Sequence, residues 1–180
     1  MQTFIKLTRW REFIPFTLPL SLLGGLLAHR FAPDVTLDWR LLAIVVANCL
    51  AMSYAFMIND IEDAEDDKHG NPERAARNVI ASGELTPRVA WIASSLIATI
   101  ALGLYALGGL ETFLTGGVIV VLAHLYSWKP VRLKSLPLLD IISHVLFLSA
   151  LLLLAPYLIY TSTLQPEIWA MMISAALFSA

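Results

Sequence analysis

Long apolar runs separated by short polar segments dominate the chain. Five of these runs are about as long as the 20 residues that a helix needs to cross a bilayer. They are 13–31, 41–58, 89–107, 112–128 and 138–160. A sixth apolar run begins near Glu167 and reaches Ala180. The pattern predicts an all-α, polytopic transmembrane helix bundle with five spans and a partial sixth.

The composition also indicates a membrane protein. Of the 180 residues, 58% are hydrophobic and 14% are charged, whereas soluble domains carry about 25% charged residues. The net charge is −2 and no basic segment is dense, so we expect the lipid bilayer and no nucleic acid as partner. Residues 1–180 are expected to form one transmembrane domain. Because the last apolar run shows no cap or flanking charge, we expect this domain to be incomplete at its C-terminal end.

Lysine and arginine are distributed unevenly among the polar segments. Ten of the twelve lie before the first run, after the second run or after the fourth run, and the other two are Arg30 and Arg40. Basic loops of membrane proteins face the cytoplasm. We therefore predict a multi-pass protein of the cell membrane, with the N-terminus and the loops 59–88 and 128–137 on the cytoplasmic side.

The densest charge in the chain directly follows the second apolar run. Residues 59–67, NDIEDAEDD, hold six carboxylates in nine positions. If the helix continues through this segment, Asp60, Asp63 and Asp67 fall on one stripe about 60° wide, and the two glutamates face away. Carboxylates on one stripe repel each other unless a cation lies among them. Mg²⁺ prefers such oxygen ligands and is often shared with substrate phosphates. The stripe predicts a Mg²⁺–diphosphate site, with a solvated acidic loop as the alternative.

Two basic clusters lie on the same predicted side of the membrane as the acidic segment. Arg74 and Arg77 follow in the same loop, and Arg132 and Lys134 lie in the segment YSWKPVRLK. Guanidinium and ammonium groups are the usual donors to phosphate oxygens. Each cluster alone is also explained by the positive-inside rule. Their coincidence with the acidic stripe favours phosphate chemistry.

These motifs together resemble the UbiA superfamily of intramembrane prenyltransferases. NDIEDAEDD is similar to the family's first aspartate motif, N-D-x-x-D-x-x-x-D, and NPERAARNVIASGELT to its arginine-containing loop. YSWKPVRLK is similar to the Tyr-Ser…Pro-x-Arg-x-Lys stretch after its fourth helix. The resemblance covers essentially the whole chain in order. Two departures are Asn78, where many members have proline, and the absence from these 180 residues of the family's second aspartate motif, D-x-x-x-D.

The resemblance implies a role for each residue that matches a family motif. The implied Mg²⁺ ligands are Asp60, Asp63 and Asp67. The implied diphosphate-binding residues are Asn59, Arg77, Arg132 and Lys134. The implied catalytic residues are Asp60, Asp63 and Tyr126, of which Tyr126 would line the reaction chamber.

The function implied by the resemblance is prenyl transfer within the membrane. A polyprenyl diphosphate would be the donor, and a carotenoid, an aromatic quinone precursor or a lipid would be the lipophilic acceptor, with Mg²⁺ assisting departure of the diphosphate. Whether these 180 residues are active by themselves stays open. Two alternatives also stay open, a non-catalytic or partial integral membrane protein and a phosphatidyl-transferring membrane enzyme. The D-G-x-x-A-R pattern of the latter is absent from the sequence.

Polar residues inside the apolar runs are further candidates. Asp140 and His144 lie one helical turn apart at the start of the fifth run. They either shape the acceptor pocket, or Asp140 is an interfacial residue paired with Lys134 or Arg132. Asn48 is either a polar contact between helices or part of the chamber lining.

Overall fold

The computed structural model describes residues 2–70 and 72–179, which form helices and connecting loops with no strand in these ranges. The helices are α1 (Gln2–Thr8), α2 (Trp10–Phe31), α3 (Trp39–Gly70), α4 (Pro72–Arg77), α5 (Pro87–Ala106), α6 (Leu110–Ser127), α7 (Pro137–Val145), α8 (Leu151–Tyr157) and α9 (Pro166–Ser179). A π-helical turn, Leu146–Ala150, joins α7 to α8.

Five helical segments are long and apolar enough to cross a membrane. They are α2, α3, α5, α6 and the continuous segment Pro137–Tyr157 formed by α7, the π-helical turn and α8. The shorter apolar helix α9 follows them. The prediction of an all-α transmembrane bundle with five spans and a partial sixth is therefore confirmed, and the protein is a multi-pass membrane protein.

Helix α3 lies at the centre of the bundle and extends well beyond its apolar part. It packs against α2, α5 and α6, and Ala47 and Ala51 are fully buried there because small side chains let helices approach closely. With 32 residues it is about 48 Å long, whereas the hydrocarbon core of a bilayer is about 30 Å thick. The acidic segment therefore forms the final turns of a helix that continues out of the apolar layer.

A buried polar cluster connects four helices around Asn48. The Nδ2 group of Asn48 donates to Ser21 Oγ at 2.7 Å and to the carbonyl oxygen of Leu152 at 2.8 Å. The hydroxyl of Tyr105 donates to Asn48 Oδ1 at 2.6 Å. The side chains of Asn48, Ser21 and Tyr105 are fully buried. Of the two sequence interpretations of Asn48, the polar contact between helices is the one that the structure supports.

Close helix packing depends on two glycines. A Cβ at Gly24 would clash with the carbonyl oxygen of Leu153 in α8, and a Cβ at Gly116 would clash with the ring of Tyr105 in α5. Because the atom opposite Gly24 belongs to the backbone, that contact has no flexible side chain to move aside. These glycines therefore set the distances between α2 and α8 and between α5 and α6.

The short helix α1 packs over the end of the bundle that carries the acidic segment. Leu7 is fully buried against Met57, Val79 and Ala90. Between α1 and α2 the chain turns at Arg9, whose backbone is left-handed with φ of 49°. This turn directs the side chain of Arg9 toward α3, so the N-terminal segment contributes to the site described next.

Candidate active site

The acidic segment is helical throughout, because α3 ends only at Gly70. The predicted loop 59–88 therefore begins later than expected, and the condition under which the three aspartates share one stripe is met. Its carboxylates lie at the C-terminal end of the helix, where the helix dipole already carries partial negative charge and disfavours anions. Cations are therefore needed nearby. A cavity of about 230 Å³, here called the acidic cavity, borders this face. It is lined by Asn59, Asp63, Asp67, Arg9, Arg74 and Arg77.

Asp60 is the most buried carboxylate of the stripe. Its side chain is 1% exposed, and Arg9 Nη2 lies 2.8 Å from its Oδ1 atom. Neither carboxylate oxygen accepts a hydrogen bond of good geometry. A buried charge is costly unless it is paired, so Asp60 depends on the Arg9 guanidinium. The sequence interpretation missed Arg9 because it counted this residue only as a topology signal.

Asp63 is held by two of the three basic residues of the loop after α6. Arg132 Nη2 lies 3.0 Å from Asp63 Oδ1 and 3.0 Å from Asp66 Oδ2. The ammonium group of Lys134 pairs with Asp63 Oδ2 and donates to Asn59 Oδ1 at 2.9 Å. The structure thus brings Asn59 and Asp63 together with Arg132 and Lys134, which lie about 70 positions later in the sequence.

The two arginines that pair with the aspartate stripe share an unusual backbone conformation. Arg9 has φ of 49° and Arg132 has φ of 44°, and within the described ranges they are the non-glycine residues with positive φ. This conformation is uncommon for residues with a side chain and costs on the order of 1 kcal/mol or more. Such strain clusters at functional sites, which agrees with the position of both guanidinium groups beside α3.

Asn78 fixes the loop after α4 against the acidic helix. Its Nδ2 group donates to the carbonyl oxygen of Asp60 at 2.8 Å and to Asp67 Oδ2 at 3.0 Å. Its Oδ1 atom accepts from the backbone N–H groups of Ile80 and Ala81 at 3.0 and 3.2 Å. The side chain is fully buried. The residue that departs from the family pattern is therefore a structural contact of the site.

Two further contacts modify the picture drawn from the sequence. Arg77 lines the acidic cavity, but its Nη2 atom lies 2.6 Å from Glu12 Oε1, a carboxylate that the sequence interpretation did not consider. Glu62 faces away from the aspartate stripe and accepts from the backbone N–H of Lys129 at 3.0 Å. It therefore holds the loop after α6 against α3. The side chain of Glu65 is 71% exposed and contacts His69.

Two more cavities meet at Asn59 and Tyr126. One, here called the basic cavity, has a volume of about 490 Å³ and is lined by Asn59, Asp63, Arg74, Tyr126, Arg132, Lys134 and Ser135. The other, here called the apolar cavity, has a volume of about 180 Å³ and is lined by Met52, Ala55, Phe56, Asn59, Tyr126, His144, Phe147 and Leu148. Because Asn59 and Tyr126 border both, a charged compartment directly adjoins an apolar one.

The carboxylate oxygens of the aspartate stripe are suitable ligands for a hard divalent cation. In this structure they instead contact arginine, lysine and asparagine side chains. The described residues contain no group of three or more His, Cys, Asp or Glu side chains arranged to hold a metal ion. Asp63 and Asp67 line the acidic cavity with Asn59, and both oxygens of Asp60 lack hydrogen bonds of good geometry. Carboxylate and amide oxygens are the ligand type that Mg²⁺ takes in proteins. The residues therefore fit Mg²⁺ by donor type, and binding would require exchange of the present ion pairs.

The fold and the site define a polytopic membrane protein with charged cavities at one end of a helical bundle. Residues 17–180 match the UbiA prenyltransferase family. The chain belongs to this family. Among curated proteins, no sequence matches the chain.

The fold is similar to solved structures of a UbiA homolog from Archaeoglobus fulgidus. The structure bound to GPP and Mg²⁺ has a TM-score of 0.80 at 22% identity, with 98% of this chain and 60% of that chain covered. The structure bound to DMAPP and Mg²⁺ has a TM-score of 0.80 at 22% identity, with coverage of 98% and 61%.

A structure of digeranylgeranylglyceryl phosphate synthase has a TM-score of 0.78 at 19% identity, with 98% of this chain and 58% of that chain covered. The chain therefore spans about 60% of the length of these solved proteins. At these identities the similarity shows a shared fold.

Proposed function

We propose that the protein transfers a prenyl group from a polyprenyl diphosphate to a lipophilic acceptor. The observation that carries this proposal is the junction of charged and apolar cavities at Asn59 and Tyr126. A prenyl diphosphate has a highly charged head and an apolar chain, and each part matches one side of the junction. The reacting carbon, which joins head to chain, would then lie beside these two residues.

The diphosphate would bind on the charged side. Arg132 and Lys134 now neutralise Asp63, and they would exchange carboxylate oxygens for phosphate oxygens when the donor arrives. Arginine suits this exchange because its planar guanidinium group can donate two parallel hydrogen bonds to phosphate oxygens. Arg77 would contribute from the acidic cavity.

Mg²⁺ would be held by carboxylates of the aspartate stripe, Asp60, Asp63 and Asp67. When bound, Mg²⁺ supplies charge neutralisation to the departing diphosphate. Arg132 and Lys134 add donors to the same oxygen atoms, where negative charge builds up as the carbon–oxygen bond breaks.

The apolar cavity would hold the allylic end of the prenyl chain. Phe56, Tyr126 and Phe147 line it, and the rings of Tyr126 and Phe147 are 5.5 Å apart. Aromatic faces stabilise a nearby cation, and apolar walls keep out water that would otherwise capture it. The solved UbiA homolog structures contain GPP or DMAPP with Mg²⁺, which supports this donor class. The acceptor would be a carotenoid, an aromatic quinone precursor or a lipid.

The test uses protein expressed from its complete reading frame, purified and reconstituted into liposomes. Radiolabelled geranyl diphosphate and Mg²⁺ are added with a panel of one aromatic quinone precursor, one carotenoid and one ether lipid. We expect labelled product with one acceptor class, and we expect EDTA to abolish it. The absence of product with every acceptor, together with no Mg²⁺-dependent binding of geranyl diphosphate, would refute the proposal.

A further inference from the structure

A three-residue network borders the apolar cavity on the side of α7. Asp140 Oδ1 accepts a hydrogen bond from the Tyr126 hydroxyl at 2.9 Å and lies 3.1 Å from His144 Nδ1. Lys134 and Arg132, the alternative partners of Asp140, instead pair with Asp63. The carboxylate of Asp140 therefore contacts Tyr126 and His144, on the apolar side of the junction between the basic and apolar cavities.

The contacts of His144 favour a proton on its Nδ1 atom. Nδ1 lies 3.2 Å from the backbone carbonyl oxygen of Asp140 and 3.1 Å from its carboxylate. Both groups only accept hydrogen bonds, so Nδ1 must be the donor. The neutral imidazole then has its lone pair on Nε2, which lies 3.5 Å from the hydroxyl oxygen of Tyr126. This is the arrangement in which a carboxylate orients a histidine as a proton acceptor.

His144 is also accessible from the cavity in which the reaction would occur. It lines the apolar cavity together with Tyr126 and Phe147, and 32% of its side chain is exposed. Its ring stacks on that of Phe147 with centroids 6.1 Å apart. The π-helical turn Leu146–Ala150 begins two residues later, and such turns are frequent at functional sites.

We propose that His144 is the catalytic residue that takes the proton lost by the acceptor, and that Asp140 is its positioning residue. This inference rests on the proposed function, because prenylation of a carbon or a hydroxyl releases one proton. The carbon–oxygen bond of the donor breaks, and its electron pair leaves with the diphosphate. The acceptor atom bonds to the prenyl carbon and passes its proton to His144 Nε2. The imidazolium, paired with Asp140, then returns the proton to water on the charged side.

The experiment measures two quantities in reconstituted protein expressed from its complete reading frame. These are the diphosphate released from geranyl diphosphate and the prenylated product formed from the panel acceptor that the wild type uses. His144→Gln keeps a hydrogen-bonding group of similar length but cannot take up a proton. We expect product formation to fall by about 10²-fold or more, with unchanged affinity for geranyl diphosphate. The ratio of released diphosphate to product should rise.

The matched control is His124→Gln. His124 also lies within a spanning helix and has a hydrogen-bonded Nδ1 atom, 2.9 Å from the Tyr54 hydroxyl. We expect this variant to keep the wild-type ratio of diphosphate to product. Asp140→Asn tests the positioning role, and ¹⁵N NMR of histidine-labelled protein reports which ring nitrogen is protonated. The wild type should carry the proton of His144 on Nδ1, and Asp140→Asn should show a mixture.

Each outcome separates the inference from the proposed function. Wild-type product formation in His144→Gln, or an equal fall in diphosphate release and product, would overturn the role of His144 and leave prenyl transfer intact. Protonation of His144 on Nε2 in the wild type would overturn the role of Asp140. A wild type that prenylates no panel acceptor and shows no Mg²⁺-dependent binding of geranyl diphosphate would overturn the proposed function, and this inference with it.

Discussion

The guanidinium of Arg9 lies 2.8 Å from a carboxylate oxygen of Asp60, whose side chain is only 1% exposed. Arg9 belongs to the turn between the first two helices, and Asp60 belongs to the acidic end of α3. The N-terminal segment therefore supplies a counter-ion to the site, in addition to the basic residues of the loops after α3 and α6.

Removal of Arg9 should destabilise the protein because it leaves the Asp60 charge buried without a partner. Breaking a buried pair from one side costs about 3–5 kcal/mol, so we expect Arg9→Ala to lower the unfolding free energy by several kcal/mol. Asp60→Asn in the same chain should restore part of the loss. Denaturant titration in detergent measures Arg9→Ala, Asp60→Asn and the double variant. Strict additivity of the two substitutions would contradict the coupling.

Individual carboxylates of α3 should differ sharply in their effect on prenyl transfer. Asp60→Ala and Asp63→Ala would each remove a group proposed to hold Mg²⁺ beside a leaving group that gains charge, and loss of one such contact typically costs about 10²–10³ in rate. The initial rate of transfer against Mg²⁺ concentration measures the effect.

Glu65→Ala is the control for these aspartate variants, because it removes the same formal charge from a side chain that is 71% exposed. We expect only a small change in its rate. Glu62 is less suitable as a control, since it accepts a hydrogen bond from the backbone of Lys129. Equal losses in the aspartate variants and in Glu65→Ala would indicate bulk electrostatics and argue against a specific metal site.

The buried cluster around Asn48 should contribute to stability rather than to catalysis. Asn48→Ala would leave Ser21, Tyr105 and the Leu152 carbonyl without their shared partner, and buried unsatisfied groups cost about 1–3 kcal/mol. Thermal unfolding in detergent should show a lower midpoint. Thr99→Ala, which removes an exposed hydroxyl bonded only to the carbonyl of Ser95 at 2.8 Å, should behave as the wild type. An equal change in both variants would contradict the role of Asn48.

The orientation predicted from the basic residues can be tested with single cysteines in a Cys49→Ala background. Gly70 and Asp34 are both exposed, near opposite ends of α3. We expect an impermeant thiol reagent to label Asp34→Cys in intact cells and Gly70→Cys only after permeabilisation. Labelling of Gly70→Cys from outside would show that the predicted orientation is wrong. The aspartate stripe would then face away from the cytoplasm.

The sequence by itself determined the spans and the stripe, because both depend on local periodicity. A run of about 20 apolar residues predicts a transmembrane helix wherever it occurs. The five helices begin close to the predicted starts, although α3 continues to Gly70, well past the predicted end at residue 58. The angular position of Asp60, Asp63 and Asp67 follows from helix geometry once α3 continues past them. The basic clusters could be assigned to the same side by charge alone.

Only the tertiary structure decided which charges and polar groups meet. The pairing of Arg9 with Asp60, the bond from Asn78 to Asp67 and the contact of Asp140 with Tyr126 each join different helices or loops. Local patterns do not specify such pairs, because they depend on how far each helix is rotated and how closely it packs against its neighbours. The glycines at positions 24 and 116 help to set those distances through contacts with residues remote in the sequence or on the adjacent helix. A positive charge near a membrane surface looks the same in sequence whether it orients the chain or neutralises a buried carboxylate, and packing alone distinguishes the two.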